Sequence, residues 1–508
     1  MLTPSLNGAP PLSLRATSLL ESFEARCDEG APWLEFQHGD GATSARGPTC
    51  QEAAQAWSHG FLRAGVQCGE RVGIWQPNSV DFVTSFFGAF GAGAIPVPLP
   101  WPVLESAGAL GPLEPILRRA GIRCLSAPRT VWTPGFTWAE PKTGTRTWPQ
   151  RPRLDDTAFL QFTSGSTGNP RGAVISHRAA LHNASALIAG LRLSRHDVGV
   201  SWVPFFHDMG LVGVMLTSLV GGFPIHVLRP GDFLLRPWRW LSLVGQTRAT
   251  LTVSPDFGYA MATRRCGDRP FSLASLRVAL SGSEPIHFAT LEGFAARFKE
   301  FGFDEGAFVA AYGLAENTLG VTTGSPWGAP FDNGRGRSLP SVGRPLPGTE
   351  VALHGPMGEI CVRSPSLASG YFEDAENTAR TFGDGWLHTG DLGAVSQGQL
   401  CVTGREKDLV IKAGSKFHAG DIEDVVTAQL SAPPQSVAAF NDVDELVLVV
   451  EQKEPRGQQD VLRVRAAIVE RLGVRVDRVT WVPLGSLPRT TSGKIRRSAC
   501  AAQFGAQR

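Results

Sequence analysis

Ten consecutive residues, Thr163-Ser164-Gly165-Ser166-Thr167-Gly168-Asn169-Pro170-Arg171-Gly172, carry the strongest local chemistry in the chain. Three glycines allow positive φ and close backbone approach, four hydroxyls donate to oxyanions, and one guanidinium grips phosphate as a planar fork. That donor set suits a polyphosphate. It is not the P-loop, because no GxxxxGK[ST] occurs, and taken alone the stretch reads equally as a polar hairpin turn. Local metal motifs are missing. The eight cysteines (27, 50, 68, 124, 266, 361, 401 and 500) form no CxxC pair and no Cys/His run at zinc spacing, so they read as reduced, buried thiols. His177 and His182 fall five apart, which is wrong for one helical face.

Such a loop needs rigid supports. Ala158-Phe159-Leu160-Gln161-Phe162 reads as an apolar strand directly before it, and helix-like spacing runs over 179–191. Further back, Val72-Gly73-Ile74-Trp75, the turn Gln76-Pro77-Asn78, a helix to about Phe90 and a strand near Ile95-Pro96-Val97 make a βαβ unit. More short strands are expected at 198–203, 250–253 and 276–280, which predicts a layered α/β core with largely parallel sheets. Pro and Gly thicken over 320–348. Short strands at 350–353, 358–362 and 399–402 then suggest a β-rich subdomain, and the residues after Gly404 a small α+β domain. The fold class is therefore α/β, with a large N-terminal domain over 1–404 and a small C-terminal domain over 405–508.

With 508 residues, 42% apolar and 19% charged, the chain is globular and long enough for at least two folding units. Lys plus Arg (48) nearly balances Asp plus Glu (46), which argues against a nucleic-acid clamp. The N-terminal residues lack the basic start and apolar run of a signal peptide. The most apolar segment, 86–104, is interrupted by Gly88, Gly91, Gly93, Pro96, Pro98, Pro100 and Pro102, so no membrane span is expected and a cytoplasmic enzyme is.

The phosphate-type loop is joined by Tyr312-Gly313-Leu314-Ala315-Glu316, His388-Thr389-Gly390-Asp391, Gly404-Arg405-Glu406-Lys407-Asp408 and Pro488-Arg489-Thr490-Thr491-Ser492-Gly493-Lys494. In this order, over about 71–497, the five stretches resemble the signatures of the acyl-adenylate-forming superfamily. Leu160-Gln161-Phe162, Phe206-His207-Asp208-Met209-Gly210-Leu211 and Asn317-Thr318-Leu319 are most similar to its fatty acyl-AMP ligase branch.

The resemblance implies ATP and Mg²⁺ as cofactors and a carboxylic acid as substrate. Thr163, Ser164, Gly165, Ser166, Thr167, Gly168 and Arg171 are then phosphate contacts, with Thr167 and Glu316 beside the metal. Ser283, Glu284 and Pro285, together with Ala311, Tyr312, Gly313, Leu314 and Ala315, frame the adenine, Tyr312 lying against the purine. Asp391 accepts from the ribose hydroxyls and Arg405 adds a ribose or phosphate contact. Lys494 enters from the far end of the chain to meet the carboxylate and the bridging phosphate oxygen, and His207 orients the acid. Asp208 does not decide the substrate. Lys407 is the implied pivot of a mobile C-terminal domain, which on rotating presents Lys412-Ala413-Gly414-Ser415-Lys416-Phe417-His418 to a thiol. Glu423 is expected to cap a helix, and Arg496 and Arg497 to be solvated.

Two departures stand out. Arg171 replaces a Lys usual in the loop, changing a point charge for a fork. Only 317–342 separates the Tyr-Gly-Leu-Ala-Glu stretch from Gly343-Arg344-Pro345-Leu346-Pro347-Gly348, too short for the long insertion usual in fatty acyl-AMP ligases and thought to disfavour coenzyme A. The expected function is acid activation as acyl-AMP, followed by transfer in trans to the phosphopantetheine thiol of an acyl or peptidyl carrier protein. Alternatives are a CoA ligase and a standalone amino-acid adenylation enzyme. Phe206, Met209 and Phe257 suit either the acid pocket or ordinary core.

Overall fold

The computed structural model describes the chain except residues 1, 40, 103–112, 132–134, 143–145, 164–169, 268, 333, 335–337, 356–357, 413, 431–435, 454–456, 490–493 and 506–508, and the side chains of 2–5. The βαβ unit forms as its pattern dictates. Strands Arg71–Ile74 and Ile95–Pro98 pair in parallel around helix Val80–Gly91, whose Ser79 cap accepts from the Phe82 N–H at 3.2 Å. That helix is apolar on nearly every side. Phe82, Phe86, Phe87 and Phe90 are buried, and Phe87 stacks on Phe23 at 4.2 Å. A Cβ at Gly88 would come within 2.5 Å of Trp57 Cβ and 2.7 Å of Ala54 O, so only glycine lets helix Gly47–Arg63 pack so closely.

A nine-stranded sheet carries most of the remaining core. Its central strands, in spatial order Phe308–Gly313, Val278–Ser281, Leu251–Ser254, Gly199–Ser201, Ile225–Val227 and Leu34–His38, are all parallel, while both flanks are antiparallel. The middle strands Val278–Ser281, Leu251–Ser254 and Gly199–Ser201 are buried at every residue, as a sheet covered on both faces requires. The β-rich part is a five-stranded sheet that includes Glu350–His354, Glu359–Arg363, Leu387–Ser396 and Gln399–Arg405, all antiparallel. The expectation of largely parallel sheets thus holds for the centre of the large sheet and for the four-stranded sheet of the βαβ unit, while the β-rich part is antiparallel.

Beyond it, helices Ala419–Leu430 and Gln458–Leu472 cover a sheet of Val437–Asp442, Glu445–Glu451 and Arg478–Val482. Buried residues fall into separate clusters. The largest draws on Leu19 through Leu400, a second on Val410 through Val476 and a third on Ala438 through Cys500. All eight cysteines are free thiols, but Cys68 is exposed, contrary to the expectation of uniform burial. Among the described residues no helix is long and apolar enough to cross a membrane.

Candidate active site

Strand Thr157–Thr163 folds back on Arg171–Ser176 as an antiparallel hairpin, with Thr163 opposite Arg171. The phosphate-type loop therefore joins two hairpin strands, so the hairpin reading and the anion-binding reading are compatible. Ser164, Gly165, Ser166, Thr167 and Gly168 lie outside the described residues. Arg171 stands over the Tyr371 ring at 5.4 Å, and the Tyr371 hydroxyl donates to Glu316 Oε1 at 2.7 Å. Burial, with the Glu316 charge adding, raises the Tyr371 phenol above its ordinary pKa, so it remains a neutral donor. Glu316 Oε2 has no protein hydrogen-bond partner among the described residues, which leaves a hard oxygen for a cation.

The backbone around Glu316 is clamped by buried polar side chains. Asn183 Nδ2 donates to the carbonyls of Asn317 and Gly320, and Asn317 Nδ2 also reaches Gly320 O at 2.7 Å. Thr318 sits at φ +63°, costly for a β-branched residue, and its hydroxyl donates to Ser366 O at 2.6 Å. Gly313 is obligatory, since a Cβ there would lie 2.1 Å from Leu319 O. The turn that presents Glu316 is thus fixed by its successors.

Two parallel strands bring the adenine-type segments together. Val278–Ser281 pairs with Phe308–Gly313, and a Cβ on Gly282 would come within 3.0 Å of Ala311 O, so the two backbones approach closely where they leave the sheet. Ser283 adopts φ +67°, Glu284 Oε1 accepts the Phe257 N–H at 2.7 Å, and Pro285 is exposed. Tyr312 is buried and donates its hydroxyl to Asp391 Oδ2 at 2.9 Å. Burial and then the Asp391 charge push the Tyr312 phenol well above its usual range. Asp391 is also reached by Arg405 Nε at 2.6 Å, and its charge raises the guanidinium pKa. Gly390, at φ +68°, makes the turn that places this carboxylate.

The His207 segment is held from both sides. Asn78 Nδ2 donates to Val203 O while Asn78 Oδ1 accepts the Phe205 N–H, and Gln161 Nε2 donates to Phe206 O at 3.0 Å. His207 Nδ1 lies 3.0 Å from Asp208 Oδ1, and residues Leu211–Leu216 continue as a π-helix, a widening frequent at functional sites. Burial alone would raise the Asp208 carboxyl, but His207 and Lys494 outweigh it and hold it below the usual carboxylate value. Met209 receives the Ser283 hydroxyl at 3.5 Å, and Phe257 lies 5.6 Å from Trp202. Both residues therefore border the site as well as the core.

Lys494 arrives at the same place from 286 residues beyond Asp208 in sequence. Burial lowers its ammonium pKa and Arg405 pushes the same way, while Asp208, Glu284 and Asp391 pull it back up. Arg497 is not solvated as expected. It binds Glu423 through Nε at 2.8 Å and Nη2 at 2.6 Å, and Asp408 through Nη1 at 2.7 Å. Arg496 Nε is likewise buried. Glu423 does not cap: it lies inside helix Ala419–Leu430, where its carboxylate takes Arg497 and the Ala439 N–H. One guanidinium near Lys494, at the start of helix Arg497–Phe504, thereby ties that helix to the Glu406-Lys407-Asp408 turn. Burial and Arg405 lower the Lys407 ammonium pKa.

Residues 49–372, more than half of the chain, match the family of AMP-binding enzymes. The chain belongs to that family. The medium-chain-fatty-acid–[acyl-carrier-protein] ligase JamA of Moorena producens is 31% identical to it, covering 87% of both chains. The long-chain-fatty-acid–AMP ligase FadD26 of Mycobacterium marinum is 30% identical over 88% of this chain and 91% of its own. A fatty acyl-adenylate ligase, solved in work on those enzymes from E. coli and L. pneumophila, superposes with TM-score 0.86 at 29% identity, covering 97% of this chain and 98% of that one.

As an AMP-binding enzyme, the chain uses several residues that no motif exposed. Asn78, Asn183, Tyr371 and His287 contact segments of the site from distant parts of the chain. His287 Nδ1 lies 3.1 Å from Asp256 Oδ2, and its Nε2 lies 3.6 Å from Asp424 Oδ1 in helix Ala419–Leu430. Only the closeness of His287 to Ser283-Glu284-Pro285 in sequence hinted at a role.

Proposed function

We propose that the enzyme activates a carboxylic acid, fatty or related aliphatic, as acyl-AMP and transfers the acyl group to the phosphopantetheine thiol of a carrier protein. The observation that carries this reading is that the charges of Arg405, Asp208, Glu284 and Asp391 all act on the Lys494 ammonium, where Asp391 is itself held by Tyr312 and Arg405. Fatty acyl-AMP and carrier-protein ligases among the relatives support the choice of acid and acceptor. A domain division at 404/405 is supported by the buried clusters, one ending at Leu400 and the next beginning at Val410.

In the first half-reaction a carboxylate oxygen bonds to the α-phosphorus of ATP while the bond to the bridging oxygen breaks, and pyrophosphate leaves. Lys494 supplies positive charge where negative charge develops. Arg171 steadies phosphate oxygens, Asp391 and Tyr312 place the nucleoside, and His207 with Asp208 orients the acid. Thr167 and Glu316 would hold Mg²⁺, which when bound neutralises phosphate charge. In the second half-reaction the thiol sulfur attacks the acyl carbonyl carbon, AMP leaves and the thiol proton is released. Swinging about Lys407 would withdraw Lys494 before that attack.

The short 317–342 connection favours a second acceptor, coenzyme A. Enzyme, ATP, Mg²⁺ and a C8–C16 acid panel are incubated with holo carrier protein or with CoA, and the thioesters are identified by mass. Acyl carrier protein as the main product supports the proposal. Acyl-CoA alone assigns the second reading, and failure to form any acyl-AMP overturns both.

A further inference from the structure

The five-stranded sheet brings four ligand-type side chains together on one face. His354 is the cross-strand neighbour of Glu359, and Cys361 that of His388. Glu359 and Cys361, two apart on one strand, share a face. No motif reveals this set, because its members come from three strands.

The distances suit a metal. His388 Nδ1 lies 3.1 Å from Glu359 Oε2 and 3.5 Å from Cys361 Sγ, and His354 Nδ1 lies 4.0 Å from Glu359 Oε2. The ligand atoms of His354, Glu359 and His388 all fall within 4.8 Å of one another. Tetrahedral bonds of about 2.0–2.1 Å to N or O put neighbouring ligand atoms about 3.3–3.4 Å apart, so a small rotation of His354 brings the three ligand atoms to bonding separation, with water free to fill the remaining position.

The supporting contacts are equally suited. His388 Nε2 faces both oxygens of Asp384 at 3.2 Å. That contact holds a proton on Nε2, so that a metal at Nδ1 would replace the proton Nδ1 shares with Glu359, the carboxylate–histidine–metal arrangement. Glu359 Oε1 is engaged by the Gly390 N–H at 3.0 Å, which leaves Oε2 directed at the histidines. Two imidazoles beside a thiol select a borderline transition ion rather than Mg²⁺.

We propose that His354, Glu359 and His388 form a zinc-type transition-metal site, with the Cys361 thiol beside His388, separate from the nucleotide site. Because Glu359 also holds Gly390, the residue before Asp391, occupancy would stiffen the turn that carries the ribose-side carboxylate. The site does not depend on the proposed acyl transfer.

Metal-stripped enzyme without nucleotide is titrated with Co²⁺, following visible d–d absorption, and with Zn²⁺ by calorimetry. One ion per chain with a tetrahedral or five-coordinate Co²⁺ spectrum is expected. Affinity should fall at least tenfold in His354→Ala and in Glu359→Gln, and stay unchanged in Glu316→Ala. His354→Ala should keep its circular dichroism and its acid-dependent pyrophosphate exchange. Absence of stoichiometric binding to the wild type, or equal affinity in His354→Ala, would overturn the site whatever the enzyme's acid or acceptor proves to be.

Discussion

His287 Nε2 lies 3.6 Å from Asp424 Oδ1, joining the segment that follows Ser283-Glu284-Pro285 to a helix beyond the Glu406-Lys407-Asp408 turn. Burial by itself would lower the imidazolium pKa, but Asp256 and Asp424 outweigh it and raise it to about 10. The contact therefore clamps the arrangement in which Lys494 reaches the site. His287→Ala should slow pyrophosphate exchange about 3- to 10-fold, an effect of about 0.6–1.4 kcal/mol, and transfer from preformed acyl-AMP less. A raised pKa gives stabilisation that is full below the unfolded value of about 6.5 and declines to nothing as pH rises through the folded value. Protease sensitivity around residue 406 should accordingly increase between pH 7 and 10 in the wild type. In His287→Ala it should be high and flat.

Tyr371 connects Arg171 to Glu316, so Tyr371→Phe removes the hydroxyl that fixes one carboxylate oxygen. Half-saturation by Mg²⁺ in the exchange assay should rise about 5- to 30-fold, consistent with one lost hydrogen bond to a charged group of about 1–2 kcal/mol. Thermal stability should change little. An unchanged Mg²⁺ dependence would remove Tyr371 from this role.

Tyr312→Phe leaves the ring and deletes the donor to Asp391. KM for ATP should rise about 3- to 10-fold, with kcat nearly preserved, because the lost contact of about 0.5–1.5 kcal/mol acts on nucleotide binding in ground and transition states alike. Steady-state kinetics at saturating acid measures both constants. A fall confined to kcat would contradict the assignment.

Arg497 fastens Glu423 and Asp408 with three short contacts while itself largely buried. Arg497→Ala should destabilise the C-terminal part by about 1–3 kcal/mol, since two carboxylates lose a fork-shaped partner. Arg497→Lys should recover only part of that loss. Chemical denaturation followed by circular dichroism provides the readout.

How far the sequence could be read depends on how far apart the partners lie. The βαβ unit around Val80–Gly91 and the buried parallel strands follow from local periodicity, and the hairpin before Arg171 from the apolar run at 158–162. Candidate site residues were proposed from the sequence where a glycine or turn marks a short motif, as at Gly313 and Gly390. Asn78, Asn183, Tyr371 and His287 were not, since each acts across 30 or more residues on a segment that its own neighbours do not predict. Arg497 and Glu423 were misjudged for the same reason: a charged residue reads as solvated until the fold supplies a partner 74 residues away. The antiparallel flanks of the large sheet arise from register and connection, which strand propensity does not encode.

The account rests on Lys494 acting beside Asp208, Glu284 and Asp391. The direct test is acid-dependent ATP–pyrophosphate exchange in wild type and Lys494→Ala, with ATP binding measured in parallel. The account predicts a loss of about 10²–10³-fold in exchange, the range for removing a preorganised transition-state contact, with ATP affinity changed less than about fivefold. Because burial lowers the ammonium pKa, the alkaline limb of the wild-type rate should lie below the ordinary lysine value of about 10.4. Undiminished exchange by Lys494→Ala would contradict the account.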